Sequence, residues 1–200
     1  MITNYLETIK EKVTERKIAK EELFSWENKK EINLELSEDL ETARKLFQKA
    51  SQITQQKLSI QISKIVTSAL SAVFDDPYTF VIDFVQRRNV TECDLLFERN
   101  GQRMDPMASC GYGAADIASL ALRVAYWKLG NTRNILILDE PTRNLSLDKQ
   151  PSASMMIKKL SEMPGGLQFI VVTHSEALAG SADKIFHVTQ INGVSTIEEV

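Results

Sequence analysis

An apolar stretch that ends in two carboxylates is the first part of the sequence able to do chemistry. Residues 135–138 read Ile-Leu-Ile-Leu, and Asp139 and Glu140 follow directly. Two charges at the end of a buried strand are costly unless they act at its C-terminal edge, where α/β sheets bind ligands. There the first acid would hold Mg²⁺ and the second would accept a proton from an attacking water. The same six residues also fit a strand followed by a solvated acidic turn.

A second apolar stretch ends in a histidine. Val171 and Val172 precede Thr173, His174 and Ser175, one strand and one helix downstream of the acid pair. We therefore expect the two strand ends to lie side by side, with His174 able to contact a terminal phosphate. A histidine at a strand end also has a purely structural interpretation.

Two polar segments complete the set. Ser109-Cys110-Gly111-Tyr112-Gly113 precedes a predicted helix, and small residues at a helix N-terminus let backbone amides approach a phosphate. A plain glycine-rich helix entry explains this segment equally well. The second segment, residues 141–148 (PTRNLSLD), is by itself only a polar loop after the acidic strand.

The elements that position these segments form an α/β layer. We predict strands at 78–87, 93–99 and 102–104, with Asn100-Gly101 as the turn between the last two. Helices at 114–129 and 152–163 then alternate with strands at 134–138, 168–173 and 184–189.

Everything before Asp75 is predicted to be helical. The first Pro is Pro77 and the first Gly is Gly101, and apolar residues recur at steps of three and four, which is typical of a coiled coil. The register slips between Ile18 and Leu34, where we expect a stutter or a local break. A long helix cannot bury such a stripe alone, so a partner helix is implied. The alternative is a helical bundle that folds on itself. We expect a coiled coil over residues 1–74 and the α/β lobe over residues 75–200.

Composition excludes some classes of protein. The chain has 200 residues, a net charge of −3 and no apolar run long enough to cross a bilayer. Its charged N-terminus does not resemble a secretory signal, and its two cysteines have no metal-ligand spacing. We expect a cytoplasmic protein that does not contact a membrane.

In this order, the four segments resemble the signature, Walker B, D-loop and switch histidine of an ABC ATPase C-terminal lobe, part of a P-loop NTPase-like sheet. The coiled coil makes the likeness closer to the SMC, RecF and SbcC type, including the phage and bacterial recombination ATPases. The resemblance implies ATP and Mg²⁺ as cofactors. It implies these roles: signature Ser109 and Gly111, Mg²⁺-binding Asp139, catalytic base Glu140, switch His174, and D-loop Leu145, Ser146 and Asp148.

The sequence departs from the family pattern at two places. Cys110 and Tyr112-Gly113 stand where the signature has glycine and a polar residue, although Ser109 and Gly111 are kept. In the D-loop, Ser146 replaces the usual aspartate, and Asp148 lies two residues later. The second departure puts communication across a dimer through that aspartate in doubt.

A Walker A loop is missing, because no glycine in the chain is followed by lysine. We therefore expect the chain alone to bind ATP poorly and to be inactive without an N-terminal lobe, which comes from a longer parent chain, from a separate subunit or not at all. The resemblance then implies a homodimer of heads that sandwiches two ATP molecules and releases on hydrolysis.

The resemblance also implies a metallophosphoesterase-type nuclease and double-stranded DNA as partners. Four arginines near the predicted hairpin are candidate contacts to DNA phosphates: Arg87, Arg88, Arg99 and Arg103. The alternative is that they are simply solvated surface residues. Two further readings stay open. The first is a catalytically silent structural or regulatory half-head. The second, which fits the long helix less well, is the nucleotide-binding subunit of an ABC transporter.

Overall fold

A computed structural model describes residues 2–88, 90–130 and 132–200, without the side chains of residues 2–5, 7, 8 and 109. Its first element is one helix, α1, over Ile2–Val73. The chain divides into two compact units, residues 1–54 and 55–200.

The first unit is a single helix whose apolar side chains are exposed. They include Leu6, Ile9, Val13, Leu36, Leu40 and Phe47. The helix runs without interruption through Ile18–Leu34, so of the two expectations for this segment the local break is excluded and the stutter stays a prediction. Phe24 and Trp26 disturb the apolar stripe, but the segment contains no proline, which would remove a backbone hydrogen bond, and no glycine, which would weaken the helix. A bundle that folds on itself is also excluded over the described part of this helix.

The second unit begins with the last turns of α1 and an antiparallel sheet. Its strands are β1 (Thr79–Arg87), β2 (Val90–Arg99) and β3 (Gln102–Met104). Asn100 and Gly101 have φ values of 52° and 74°, as expected for the predicted turn. The inner face packs on the end of α1 through buried Val66, Leu70, Val73, Phe80, Ile82 and Phe97.

A parallel pair of strands with helices follows. The elements are α2 (Pro106–Ser109), α3 (Tyr112–Leu129), β4 (Ile135–Asp139), α4 (Gln150–Ser161), β5 (Gln168–Val172) and α5 (Glu176–Ala179). β4 and β5 are parallel, with Asp139 opposite Val172. Each predicted helix or strand in this region is present, with ends shifted by one or two residues.

The chain finishes in an antiparallel hairpin of β6 (Phe186–Ile191) and β7 (Val194–Glu199). Every residue of both strands is exposed. β7 was not predicted, although Asn192-Gly193 at its turn has positive φ values (53° and 81°) similar to those of Asn100-Gly101. The described strands thus form three separate sheets, and only the β4–β5 sheet bears on the predicted acid–histidine pair.

Candidate active site

Glu140 lies immediately beyond β4 in a conformation that residues other than glycine rarely adopt. Its φ is 44°, which costs on the order of 1–3 kcal/mol. The strained residue is held by its own backbone: its N–H donates to the Val172 oxygen at 2.9 Å, and its carbonyl accepts from Arg143 N–H at 3.2 Å. This backbone turns the side chain toward the end of β5.

The segment after β5 receives that side chain. Glu140 Oε1 accepts a hydrogen bond from the backbone N–H of His174 at 2.9 Å. Its other oxygen accepts from the Thr173 hydroxyl at 3.3 Å. The His174 ring is fully exposed, and its Nε2 lies 3.8 Å from Glu140 Oε1. The structure therefore brings Glu140 and His174 together at the C-terminal edge of one parallel sheet.

Asp139 is exposed at the same edge. Its carboxylate has no side-chain partner among the described residues, and no group of three or more potential ligands in that part of the chain is arranged around a metal. A lone free carboxylate still fits Mg²⁺, which is bound through one or two carboxylates with water and substrate phosphates as the other ligands. Bound there, the ion would neutralise charge on a phosphoryl group.

The predicted signature segment surrounds the start of α3. Gly111 is the N-cap residue, with a φ of 77°, and no side chain caps the helix. Ser109 ends α2, but its side chain lies outside the described residues. Burial raises the pKa of the half-buried Cys110 thiol, which keeps it protonated near neutral pH.

The loop between β4 and α4 packs against this segment. A Cβ on Gly113 would lie 3.0 Å from the Asn144 oxygen and 3.2 Å from Leu145 Cδ1. Asp116, the fifth residue of α3, accepts from the Asn144 backbone N–H at 3.0 Å. Leu145 is buried. The predicted signature and D-loop segments are therefore in direct contact within one molecule.

Ser146 and Asp148, the other two predicted D-loop residues, are exposed. A hydrogen bond from Ser146 holds the pKa of Asp148 below its usual range. Lys149 next to them pairs with Asp75 at 2.5 Å, which joins this loop to the turn after α1.

The predicted DNA-binding arginines are largely engaged. Arg88 is exposed at the β1–β2 tip with a φ of 50°, whereas Arg87 and Arg103 form ion pairs on the outer face of the antiparallel sheet. Their partners are four carboxylates: Asp94 (2.6 Å) and Glu92 (3.1 Å) for Arg87, and Asp83 (2.5 Å) and Glu98 (2.9 Å) for Arg103. Arg99 lies over the Tyr78 ring at 3.7 Å.

Pairing shifts the ionisation of these groups in the expected direction. Hydrogen bonds to Asp94 raise the pKa of Arg87 and hold that of Asp94 below its usual range. With two arginines facing four carboxylates, the outer face carries net negative charge. A DNA phosphate would have to displace these internal partners.

Sequence reasoning missed two residues that support the site. Thr173 connects Glu140 to the next turn, and Gln150 at the start of α4 hydrogen-bonds both Ser175 and Leu145. Thr173 lay within the segment singled out, but no spacing pattern marks Gln150.

No family model matches the sequence, but individual relatives do. The DNA double-strand break repair Rad50 ATPase of Methanocaldococcus jannaschii is 31% identical over 140 residues, which are 68% of this chain and 13% of that protein. The Aeropyrum pernix Rad50 ATPase is 26% identical over 79% of this chain and 18% of its own length. The Francisella tularensis lipoprotein-releasing ATP-binding protein LolD matches at 36% over only 28% of this chain and 23% of its own length. The chain thus spans less than a fifth of the Rad50 relatives it matches.

Solved SMC head structures share this fold. The Smc head domain with coiled coil and joint from Pyrococcus yayanosii aligns with a TM-score of 0.63 and 18% identity, over 80% of this chain and 30% of that one. The Pyrococcus furiosus Smc head with extended coiled coil gives 0.58 and 20%, over 74% and 36%. The chain is the C-terminal half of an SMC/Rad50-type ABC ATPase head with its coiled-coil helix.

Proposed function

We propose that this chain supplies the catalytic acids, the switch histidine and the signature segment of an ATP-hydrolysing DNA repair or recombination ATPase, and that an N-terminal lobe supplies the Walker A loop. The supporting observation is the meeting of Glu140 and His174 at the edge that also carries the free Asp139 carboxylate. In this proposal residues 1–74 act as the coiled coil and residues 75–200 as the ATPase lobe.

Glu140 takes the role of general base. Its side chain is 28% exposed, so water retains access to the carboxylate although each of its oxygens accepts one fixed hydrogen bond. A water hydrogen-bonded to this group could pass a proton to it while attacking the γ-phosphate of ATP. Full exposure of the His174 ring leaves it free to contact the same phosphate.

The need for a second lobe is supported by the uncovered face of the β4–β5 sheet. Side chains on one face, including Leu138, enter the core, whereas those on the other are exposed: Ile135 (37%), Ile137 (71%), Ile170 (46%) and Val172 (59%). Parallel sheets are normally covered on both faces. An N-terminal lobe that docks here would cover this face and bring a phosphate-gripping loop to Asp139.

ATP-dependent pairing of two such heads, with the signature segment of each facing the nucleotide of the other, makes hydrolysis a release step. Rearrangement of the coiled coil and of a metallophosphoesterase-type nuclease on double-stranded DNA would follow that cycle. The names of the Rad50 relatives support the DNA repair setting. A catalytically silent half-head is the second candidate, favoured by the changes at Cys110 and Ser146.

ATPase measurements separate the two candidates. The chain alone is expected to be inactive, and the chain mixed with the N-terminal lobe of its parent protein or neighbouring gene is expected to hydrolyse ATP. Glu140→Gln should abolish turnover and accumulate ATP-dependent dimers, visible by light scattering, whereas the matched control Glu162→Gln on an exposed helix end should change neither. Turnover that is unchanged in Glu140→Gln would refute Glu140 as the base. Lobe binding without any turnover would favour the silent half-head.

A further inference from the structure

A continuous path of hydrogen bonds leads from Glu140 to the loop that packs on the signature segment. It starts at Glu140 Oε2, which accepts from the Thr173 hydroxyl at 3.3 Å. Thr173 Oγ1 in turn accepts from the Ser175 backbone N–H at 3.0 Å. The first part of the path therefore fixes the turn that carries His174.

Gln150 carries the path across to the other segment. Its Oε1 accepts from the Ser175 hydroxyl at 2.7 Å, and its Nε2 donates to the Leu145 carbonyl at 3.3 Å. One planar amide thus joins the turn after β5 to the loop after β4. A hydrophobic side chain in this half-buried position could make neither bond.

The last part of the path ends at α3. Asn144, next to Leu145, donates its backbone N–H to Asp116 at 3.0 Å, and its side-chain amide lies 3.3 Å from the same oxygen. Gly113 leaves no room for this loop to slide toward the helix. If the loop after β4 moves, the N-terminal part of α3 must therefore move with it.

We propose that Gln150 is a positioning residue that couples the His174 turn to the signature segment through the backbone of Leu145. In the dimer proposed above, these two ends of one head face different ATP molecules, so the coupling links the two nucleotide sites. It offers a route inside one head that does not need the D-loop aspartate that Ser146 replaces. This role in catalysis rests on the proposed function, but the coupling itself is a property of the chain.

Hydrogen exchange on the full chain tests the coupling without ATP. Ser175→Ala removes the bond to Gln150, and removal of one hydrogen bond is expected to speed exchange of the Asn144 and Leu145 amides about fivefold. In a Gln150→Leu background the same substitution should change these amides less than twofold, because the path is already cut. Ala179→Gly, which weakens α5 without touching Gln150, controls for loss of the Ser175 helix cap.

Equal acceleration in both backgrounds, or none in either, would overturn the coupling. A second variant, Gln150→Glu, keeps the acceptor for Ser175 and replaces the donor to Leu145. In the complemented head (the chain mixed with the N-terminal lobe), Gln150→Glu should lower kcat several-fold with little change in KM for ATP. The matched control, Gln190→Glu on the exposed hairpin, should change neither kcat nor KM. If Gln150→Glu lowers kcat no more than this control does, Gln150 has no role in the ATPase cycle. A complemented wild-type head without turnover would refute the proposed function but leave the exchange result standing.

Discussion

Gly113→Ala tests whether the start of α3 and the loop after β4 are as tightly packed as the structure indicates. Helix propensity alone favours alanine at the second residue of a helix by up to about 1 kcal/mol. The added Cβ, however, would lie 3.0 Å from the Asn144 oxygen, 3.2 Å from Leu145 Cδ1 and 3.3 Å from Leu145 Cα. Two of these three atoms belong to the backbone, so a side-chain rotation cannot relieve the contact.

The magnitude follows from how firmly the loop is held. Overpacking of this kind typically costs about 1–3 kcal/mol, and the bonds from Asn144 to Asp116 oppose the shift of a few tenths of an ångström that would relieve it. Subtracting the propensity gain leaves a net loss of about 1 kcal/mol. For a chain of 200 residues this lowers Tm by about 2–4 °C.

The assay is thermal and urea unfolding followed by circular dichroism. Asp116→Ala provides the comparison, because freeing Asn144 lets the loop move, and Gly113→Ala should then cost less in the double variant than in the native background. A Gly113→Ala variant as stable as the native chain, or strictly additive effects in the double variant, would show that the loop is not clamped on α3.

Three further outcomes follow from single sites. Because Glu140 has a positive φ, Glu140→Gly should be more stable than Glu140→Ala by about 1 kcal/mol in urea unfolding, and the reverse order would deny the strain. Burial and the raised pKa of Cys110 predict slower alkylation at pH 8 than at the exposed Cys93, followed by mass spectrometry; equal rates would contradict this. Lys149 holds the pKa of Asp75 below its ordinary value, so the stabilisation from this pair is complete above about pH 4 and is lost as pH falls through the lowered pKa. The Tm difference between the native chain and Asp75→Asn should therefore vanish in acid, and a difference that grows there would be the wrong sign.

Local sequence patterns predicted the elements that have a clear burial pattern or a characteristic turn sequence. An apolar run closed by charge marked β4, and the Asn-Gly pair at residues 100–101 marked a turn because both residues tolerate positive φ. The second Asn-Gly pair, at 192–193, carried the same signal, but β7 beyond it has no buried face. The polar and apolar residues of β7 therefore show no pattern of burial from which a strand could be predicted.

Features that depend on which segments meet in three dimensions could not be predicted in this way. The arginines of the β1–β2–β3 sheet looked available for phosphate, but strand register places Arg87 near Asp94 and Arg103 near Asp83. The side chain of Gln150 bonds to Leu145 and Ser175, which lie 5 and 25 positions away along the chain, so no local spacing distinguishes it. The positive φ of Glu140 likewise arises from the backbone bonds that join it to β5, which no local rule reveals.

The polar and apolar parts of the candidate site are completed in different ways. Glu140 is already held by Thr173 and the His174 backbone, so the orientation that the proposed base needs is largely preorganised. The apolar face beside it is open, with Ile137 and Val172 well exposed. Docking of a lobe would therefore be driven chiefly by burial of apolar surface, while the acids keep their arrangement. On this basis the proposed N-terminal lobe would add phosphate binding to a site whose proposed base is already oriented, rather than create the site.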